Sequence, residues 1–211
     1  MKRGIFITLE GGEGAGKSSH IEALRVDFEA AGRTVIVVRE PGGTAIGEAI
    51  REILLSREYD AMVPRAELLL YEAARAQITD EVIRPALERG DVVLCDRFFD
   101  STTAYQGFGR GLDTEFIDEL NLFATADLAP DATVVLETPV EVGLARARKA
   151  GEPDRLEAAS CNFHERVRTG FRALVEAYPA RARIVDATQP LDDVYGDVRA
   201  AIEEVLGNVF R

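Results

Sequence analysis

The chain has 211 residues, with 37 acidic against 25 basic side chains, and its formal net charge is −12. This charge disfavours sequence-independent binding of DNA or RNA, which depends on neutralising phosphates. Hydrophobic residues make up 46% of the chain, enough for a buried core, but no apolar stretch reaches the roughly 18–20 residues of a membrane span. We therefore expect one domain over residues 1–211, acting in the cytoplasm without nucleic acid or membrane.

Short apolar runs alternate with helical periods along the chain. The runs predict strands at residues 4–9, 34–38, 92–95, 132–136 and 183–185. The helical periods predict helices at residues 19–31, 45–55, 65–88 with a kink or break at Pro85, 114–124, from Pro139 onward, 157–178 and 191–206. Continuous apolar strands separated by helices indicate an α/β fold with a parallel sheet covered on both faces. Ligands of such sheets bind beyond the carboxyl ends of the strands.

A phosphate-binding loop follows the first predicted strand and precedes the first predicted helix. It fits G-x-x-x-x-G-K-[ST] with Gly11, Gly12, Glu13, Gly14, Ala15, Gly16, Lys17 and Ser18. In this strand–loop–helix context, backbone N–H groups surround phosphate oxygens and the positive end of the helix faces the same anion. Lys17 is expected to reach the β/γ-phosphates from an exposed helix start, and the Ser18 hydroxyl to bind Mg²⁺.

Other residues narrow the class of P-loop protein. The third strand runs into Asp96 and Arg97, where a carboxylate would face Mg²⁺ and the arginine would point into the phosphate cleft. The N-K-x-D string of GTPases is absent. No general base is evident, which fits an acceptor that is itself a phosphate monoester, because such a group is already a dianionic nucleophile at pH 7.

Four further segments carry characteristic strings. They read R-E-P-G-G-T at residues 39–44, L-L-L-Y-E-A-A-R-A-Q at 68–77, D-R-F-F-D-S-T-T-A-Y-Q-G at 96–107 and D-R-L-E at 154–157. In these segments and in their order the chain resembles the bacterial thymidylate kinases. The resemblance implies a three-layer P-loop kinase fold with a five-stranded parallel sheet, transfer of a phosphoryl group from ATP with Mg²⁺ to dTMP, and a homodimer.

The resemblance also implies roles for individual residues. Tyr71 matches the aromatic residue on which thymine stacks, and Arg75 matches the arginine that donates to thymine O4. Glu13 matches a P-loop carboxylate that faces the 3′-hydroxyl of the acceptor sugar and the metal-bound water. Thr102 and Gln106 match residues beside base N3 and the adjoining cleft, and Tyr105 is also expected to bind the acceptor. Arg51 and Arg97 match arginines that bind the acceptor phosphate, and Glu40 matches a glutamate that helps to orient them.

A lid is expected at residues 146–157. In enzymes whose P-loop lacks an arginine, as at Gly14 and Ala15 here, the resemblance implies that the lid supplies the cation for the transferring phosphoryl group. The residue before the lid glycine is commonly arginine in the family, but this chain has Ala150. We therefore expect Arg148 or Arg155 to supply the charge, with Lys149 secondary. Arg146 and Gln189 are expected beside ATP, with residues 186–190 near the adenine.

Two alternatives remain open from the sequence. One is a P-loop kinase for another nucleotide or small acceptor, which keeps the same phosphate chemistry. The other is a non-catalytic P-loop switch that binds ATP and changes conformation, against which the missing N-K-x-D string counts.

Overall fold

A computed structural model describes residues 3–210. Its five strands form one parallel sheet in the order β2-β3-β1-β4-β5. The strands are β1 Ile5–Gly11, β2 Val35–Arg39, β3 Val92–Asp96, β4 Ala132–Glu137 and β5 Ala182–Asp186. The predicted α/β fold and parallel sheet are confirmed. Because β1 lies between β3 and β4, the P-loop that follows it opens at the switch point of the sheet, where ligands bind.

Helices cover both faces of this sheet. They are α1 Lys17–Ala30, α2 Ala45–Leu55, α3 Pro64–Ile78, α4 Arg84–Arg89, α5 Phe99–Thr102, α6 Thr114–Thr125, α7 Val140–Ala150, α8 Cys161–Ala177 and α9 Leu191–Leu206. A 3₁₀ turn lies at Arg57–Tyr59, and π-helical turns lie at Thr79–Ile83 and Thr103–Gly109. Within residues 3–210, no helix combines the length and the apolar character needed to cross a bilayer.

The core divides according to the alternation of side chains along the strands. Ile7 and Leu9 of β1 face one side and pack with apolar residues of α1 and α9. Phe6 faces the other side, where it packs with Cys95 and with residues of α3 and α4. Cys95 is fully buried in this part of the core. Strands buried on both faces explain why they read as continuous apolar runs.

Three helical segments differ most from the sequence prediction. The helix expected over residues 65–88 is interrupted by the π-helical turn Thr79–Ile83, so Pro85 lies in the first turn of a new helix, where its missing N–H costs nothing. The helix expected from residue 157 begins at Cys161, because Ser160 caps it through a bond from the Phe163 N–H to Ser160 Oγ (3.3 Å). Residues 99–109, for which no helix was predicted, are helical.

Candidate active site

The P-loop joins the end of β1 to the start of α1. Gly16 adopts a left-handed conformation (φ 90°), which glycine reaches without steric cost, and α1 begins directly after it. The Lys17 ammonium donates to the carbonyl oxygens of Gly11 (3.2 Å) and Gly12 (3.0 Å). Lys17 is buried, with 8% of its surface exposed, so the expected exposed helix start is wrong. Burial, together with nearby Arg97, lowers the pKa of Lys17.

Ser18 and Asp96 meet at the rim of the loop. The Ser18 hydroxyl donates to Asp96 Oδ2 over 2.8 Å, because β3 lies directly beside β1 and both strands end at the same edge. A hydroxyl and a carboxylate are hard oxygen donors of the kind that Mg²⁺ takes while it keeps water and phosphate oxygens as its other ligands. Within residues 3–210, no cluster of three or more His, Cys, Asp and Glu side chains could hold a metal by itself. The pair therefore fits an ion that arrives with the nucleotide.

Glu13, Arg97 and Tyr105 form a linked group between the P-loop and the neighbouring cavity. Glu13 Oε1 accepts from Arg97 Nη2 (3.0 Å) and from the Tyr105 hydroxyl (2.6 Å). Arg97 also donates to the Gly11 carbonyl oxygen (2.8 Å). Burial raises the pKa of Glu13, but Arg97 and Lys17 outweigh it and hold that pKa at about 2. Glu13 is thus an anion at neutral pH, and it orients Arg97.

Arg97 occupies an unusual backbone conformation. Its φ of 71° lies in the left-handed region, which side chains other than glycine, asparagine and aspartate rarely adopt. The turn directs the side chain from the end of β3 back across the P-loop. Strain of this kind costs on the order of 1–3 kcal/mol and is found chiefly at functional sites.

A cavity of about 160 Å³ opens beside this group. Every acceptor-site residue predicted from the resemblance lines it: Glu13, Glu40, Arg51, Tyr71, Arg75, Arg97, Thr102, Tyr105 and Gln106. Asp154, Leu156 and Glu157 of the expected lid close its other side. Thr102 Oγ1 and Glu40 Oε1 are buried there without a hydrogen-bond partner in the described chain. Buried polar atoms of this kind are costly unless a ligand or water satisfies them.

Arg75 lies at the base of this cavity and is 1% exposed. It contacts Glu40 through Nε (2.9 Å) and Nη2 (2.8 Å), and its Nη1 donates to Glu72 (2.7 Å) and Asn121 (3.2 Å). Counting the five N–H groups of a guanidinium against these contacts leaves Nη2 one N–H for a ligand. Burial raises the pKa of Glu40 to about 7 despite the adjacent arginine. Glu40 was expected to orient the phosphate-binding arginines, but its ion pair is with Arg75.

A second buried ionic cluster, which the sequence analysis missed, supports the cavity wall. Glu67 of α3 is 1% exposed and accepts from Gln106 Nε2 (2.8 Å). Arg110 donates to both of its oxygens (3.0 Å each), and Arg155 Nη1 lies 2.5 Å from Oε2. The only sequence signal is an acidic residue one position before the buried Leu68, on a helix whose next two turns carry Tyr71 and Arg75. That signal is also typical of a solvated helix face.

The basic side chains of the expected lid do not all lie where the resemblance implied. Arg155 is buried; its Nε donates to the Leu54 carbonyl oxygen (2.8 Å) and its backbone N–H to that of Leu55 (3.2 Å). The structure therefore places Arg155 against α2 and α3, without a contact to the P-loop, contrary to its expected role as a cation for the phosphoryl group. Arg148 and Lys149, by contrast, are exposed near the end of α7. The side chain of Ala150 lies outside the described part of the chain.

The donor side of the site is an open cleft. A space of about 560 Å³ is lined by the P-loop, Asp96, Arg97 and Arg146. It adjoins a space of about 270 Å³ lined by Arg146, Gln189 and the buried His20. Arg146 Nη1 donates to the Ala187 carbonyl oxygen (3.0 Å). The structure thus brings both predicted ATP-side residues together, whereas His20 was not predicted to line a ligand space.

Comparisons with known proteins agree on one family. The family model described as Thymidylate kinase matches residues 9–198. A thymidylate kinase of Desulfovibrio desulfuricans is 52% identical over 209 residues, covering 96% of each chain. One of Deinococcus radiodurans is 48% identical over 204 residues, covering 97% of this chain and 98% of the other. The crystal structure of a thymidylate kinase from Ehrlichia chaffeensis superposes with a TM-score of 0.75 at 29% identity, covering 94% of this chain and 98% of that one. This chain belongs to the thymidylate kinase family.

Proposed function

We propose that this protein transfers the γ-phosphoryl group of ATP, bound with Mg²⁺, to dTMP, giving ADP and dTDP. The observation that carries the proposal is the cavity beside the P-loop, because it gathers the acceptor-site residues from five separate parts of the chain. It meets the phosphate-binding loop at Glu13 and Arg97, which line both spaces. An acceptor in the cavity and a donor on the loop would therefore approach each other at Arg97.

The acceptor base is proposed to lie against Tyr71, with its polar edge toward Arg75 and Gln106. Stacking of a base on an aromatic ring is worth about 1–3 kcal/mol. The remaining N–H of Arg75 Nη2 is a donor suited to the O4 atom of thymine. Cytosine carries an amino group at that position, so two donors would face each other and the wrong base would be rejected. The buried hydroxyl of Thr102 offers a further polar contact to the base.

The phosphate groups are proposed to replace contacts that the cations now make with the backbone. Lys17 and Arg97 donate hydrogen bonds to carbonyl oxygens of the P-loop. Arg51 similarly donates to the Pro41 carbonyl oxygen (2.8 Å) at the cavity rim. Arg51 and Arg97 are assigned to the acceptor phosphate, and Lys17 with the P-loop amides to ATP. Bound Mg²⁺ would be held by Ser18 and Asp96, and it would neutralise phosphate charge.

Charge stabilisation then accounts for the chemistry. The acceptor phosphate is a dianion at neutral pH and needs no general base. Glu13, with its pKa held at about 2, fixes Arg97 rather than exchanging protons. Lys17 and Arg97 stabilise the charge that develops during transfer. Because Arg155 is committed to Glu67, we assign the lid contribution to Arg148, with Lys149 secondary.

We further propose that the chain is one domain whose lid comprises residues 146–157, and that it forms a homodimer. Helices α2, α3 and α6 pack side by side and carry large apolar side chains on the surface. Phe123 is 85% exposed, Phe116 54% and Leu69 59%, which is typical of a surface that another protein covers. A second copy is the proposed partner. The free thiols of Cys95 and Cys161 support the cytoplasm as the compartment.

The proposal is tested by ADP formation with Mg²⁺-ATP and each nucleoside monophosphate in turn. We expect fast, acceptor-dependent ADP formation with dTMP and much slower reaction with dCMP and AMP. A faster reaction with another monophosphate would favour the kinase for a different acceptor. ATP binding without acceptor-dependent ADP formation would favour the P-loop switch.

A further inference from the structure

Gln106 lines the cavity proposed for the base, and the amide of its side chain has two unlike ends. The nitrogen end donates hydrogen bonds and the oxygen end accepts them. At thymine N3 the base carries an N–H donor, whereas at cytosine N3 it carries an acceptor lone pair. The same glutamine could therefore serve either base, depending on which end of its amide faces the cavity. Base choice at this position requires something that fixes the amide.

Glu67 is placed to fix it. Its Oε1 lies 2.8 Å from Gln106 Nε2 and 3.0 Å from Arg110 Nε, and the whole side chain is buried. Burial raises the pKa of Glu67, but hydrogen bonds from Arg110 and Gln106 outweigh it, and the net pKa lies below its usual value. The carboxylate is therefore ionised at neutral pH and only accepts. A turned amide would set its oxygen against this anion, so the amino end of Gln106 stays on Glu67.

We propose that Glu67 is a positioning residue for base choice, which holds the Gln106 amide with its oxygen toward the acceptor so that the site accepts thymine N3–H and refuses cytosine N3. Glu67 does not touch the substrate in this arrangement. The inference rests on the proposed position of the base beside Gln106. It assigns a specificity role to an ionic cluster that would otherwise serve only packing.

The other partners of Glu67 explain why the carboxylate itself does not turn. Arg110 holds both oxygens with two parallel bonds, and it stacks over the Phe163 ring at 4.6 Å. Arg155 holds Oε2, the oxygen that does not contact Gln106. Paired and forked contacts of this kind fix direction as well as charge. The orientation of the Gln106 amide is thus set by Glu67 on α3, by Arg110 directly after the π-helical turn Thr103–Gly109, and by Arg155 of the proposed lid.

The test compares kcat/KM for dTMP and dCMP in four variants. In Glu67→Gln the carboxylate becomes an amide that can donate or accept, so Gln106 can turn and donate to cytosine N3. We expect the dTMP/dCMP ratio to fall by about tenfold, the value of one ordinary hydrogen-bond preference. Gln106→Met should lower the ratio as well, and adding Glu67→Gln to it should produce no further change, because the two residues act through one amide.

Arg155→Met is the matched control. It removes another partner of the same buried carboxylate but leaves the contact between Glu67 and Gln106, so the ratio should stay within about twofold of the wild type while the melting temperature falls. If the role of Glu67 were purely structural, Glu67→Gln and Arg155→Met would both lower the melting temperature, and neither would change the dTMP/dCMP ratio. If Glu67→Gln does not fold, Glu67→Asp keeps the charge but withdraws it from Gln106, and the ratio should again fall.

Two results separate the inference from its basis. The role of Glu67 is overturned, while the base position stands, if Gln106→Met lowers the dTMP/dCMP ratio but folded Glu67→Gln leaves it unchanged. Glu67→Asp takes the place of Glu67→Gln in this comparison if the latter does not fold. An unchanged ratio in Gln106→Met overturns the base position, and the inference with it.

Discussion

Replacing Arg155 by methionine should cost stability rather than catalysis. The change keeps much of the apolar stem but removes charged hydrogen bonds to Glu67 and to the Leu54 carbonyl oxygen. Such bonds are worth about 1.5–3 kcal/mol each, and part of this is offset because a guanidinium no longer has to be desolvated. Glu67 also keeps its paired contact with Arg110. We therefore expect a net loss of about 2 kcal/mol.

This loss converts into a measurable shift in melting temperature. An unfolding entropy of about 2.1 cal/mol/K per residue gives about 0.44 kcal/mol/K for 211 residues. A loss of about 2 kcal/mol then lowers Tm by about 5 °C in a calorimetric scan. Turnover should fall by less than about tenfold, whereas an arginine on the transferring phosphoryl group is worth about 10³–10⁵ in kcat.

Arg148→Met is the comparison variant, because Arg148 is exposed on the same proposed lid segment. It should melt with the wild type and lose turnover steeply, while ATP binding by titration calorimetry changes little. The reasoning is refuted if Arg155→Met keeps the wild-type Tm and loses turnover by a thousandfold. That pair of results would show that the lid rearranges and carries Arg155 to the phosphates.

Four further outcomes are expected. Lys17→Ala should lower kcat by orders of magnitude with circular dichroism unchanged, and a normal kcat would contradict the P-loop role. Arg75→Ala should raise KM for dTMP and narrow the gap to dCMP, and should also lower Tm because Glu40 loses its partner; an unchanged gap would leave Arg75 a packing residue. Burial, with a contribution from Asp100, raises the pKa of Glu10 to about 8, so its ionisation opposes folding as pH rises from about 4.5 through 8. The melting temperature of Glu10→Gln minus that of the wild type should therefore be larger at pH 9 than at pH 5. An equal difference at both pH values would count against this. Phe123→Asp should produce monomers in analytical ultracentrifugation, and an unshifted sedimentation coefficient would exclude the proposed interface.

The parts of the site that depend on local patterns could be predicted from the sequence. Tyr71 and Arg75 are four residues apart on one helix, and both line the acceptor cavity. Ser18 and Asp96 each follow from a strand end and a motif, and their side chains meet at 2.8 Å. Adjacent parallel strands end at one edge, so residues at their carboxyl ends converge whatever lies between them in the chain.

The rest depends on contacts between distant segments. Glu67 is paired with residues 39, 43 and 88 positions away in the chain. No periodicity shows that these cations and this amide surround one buried carboxylate. Residues 99–109 also lack a 3.6-residue pattern, because close packing rather than amphipathicity sets their course: a Cβ on Gly109 would lie 2.7 Å from Phe163 Cε2. The position of Arg155 against α2 and α3 could not be predicted for the same reason, since the lid motif does not reveal which wall the side chain meets.

The contacts of the Arg97 side chain offset the strain of its left-handed backbone. Glycine would relieve the strain of about 1–3 kcal/mol, but it would also remove charged hydrogen bonds to Glu13 and to the Gly11 carbonyl oxygen, which are worth about 1.5–3 kcal/mol each. A laboratory selection that rewards thermal resistance alone should therefore retain arginine at this position. The cation that joins the two halves of the site is then kept by folding as well as by turnover.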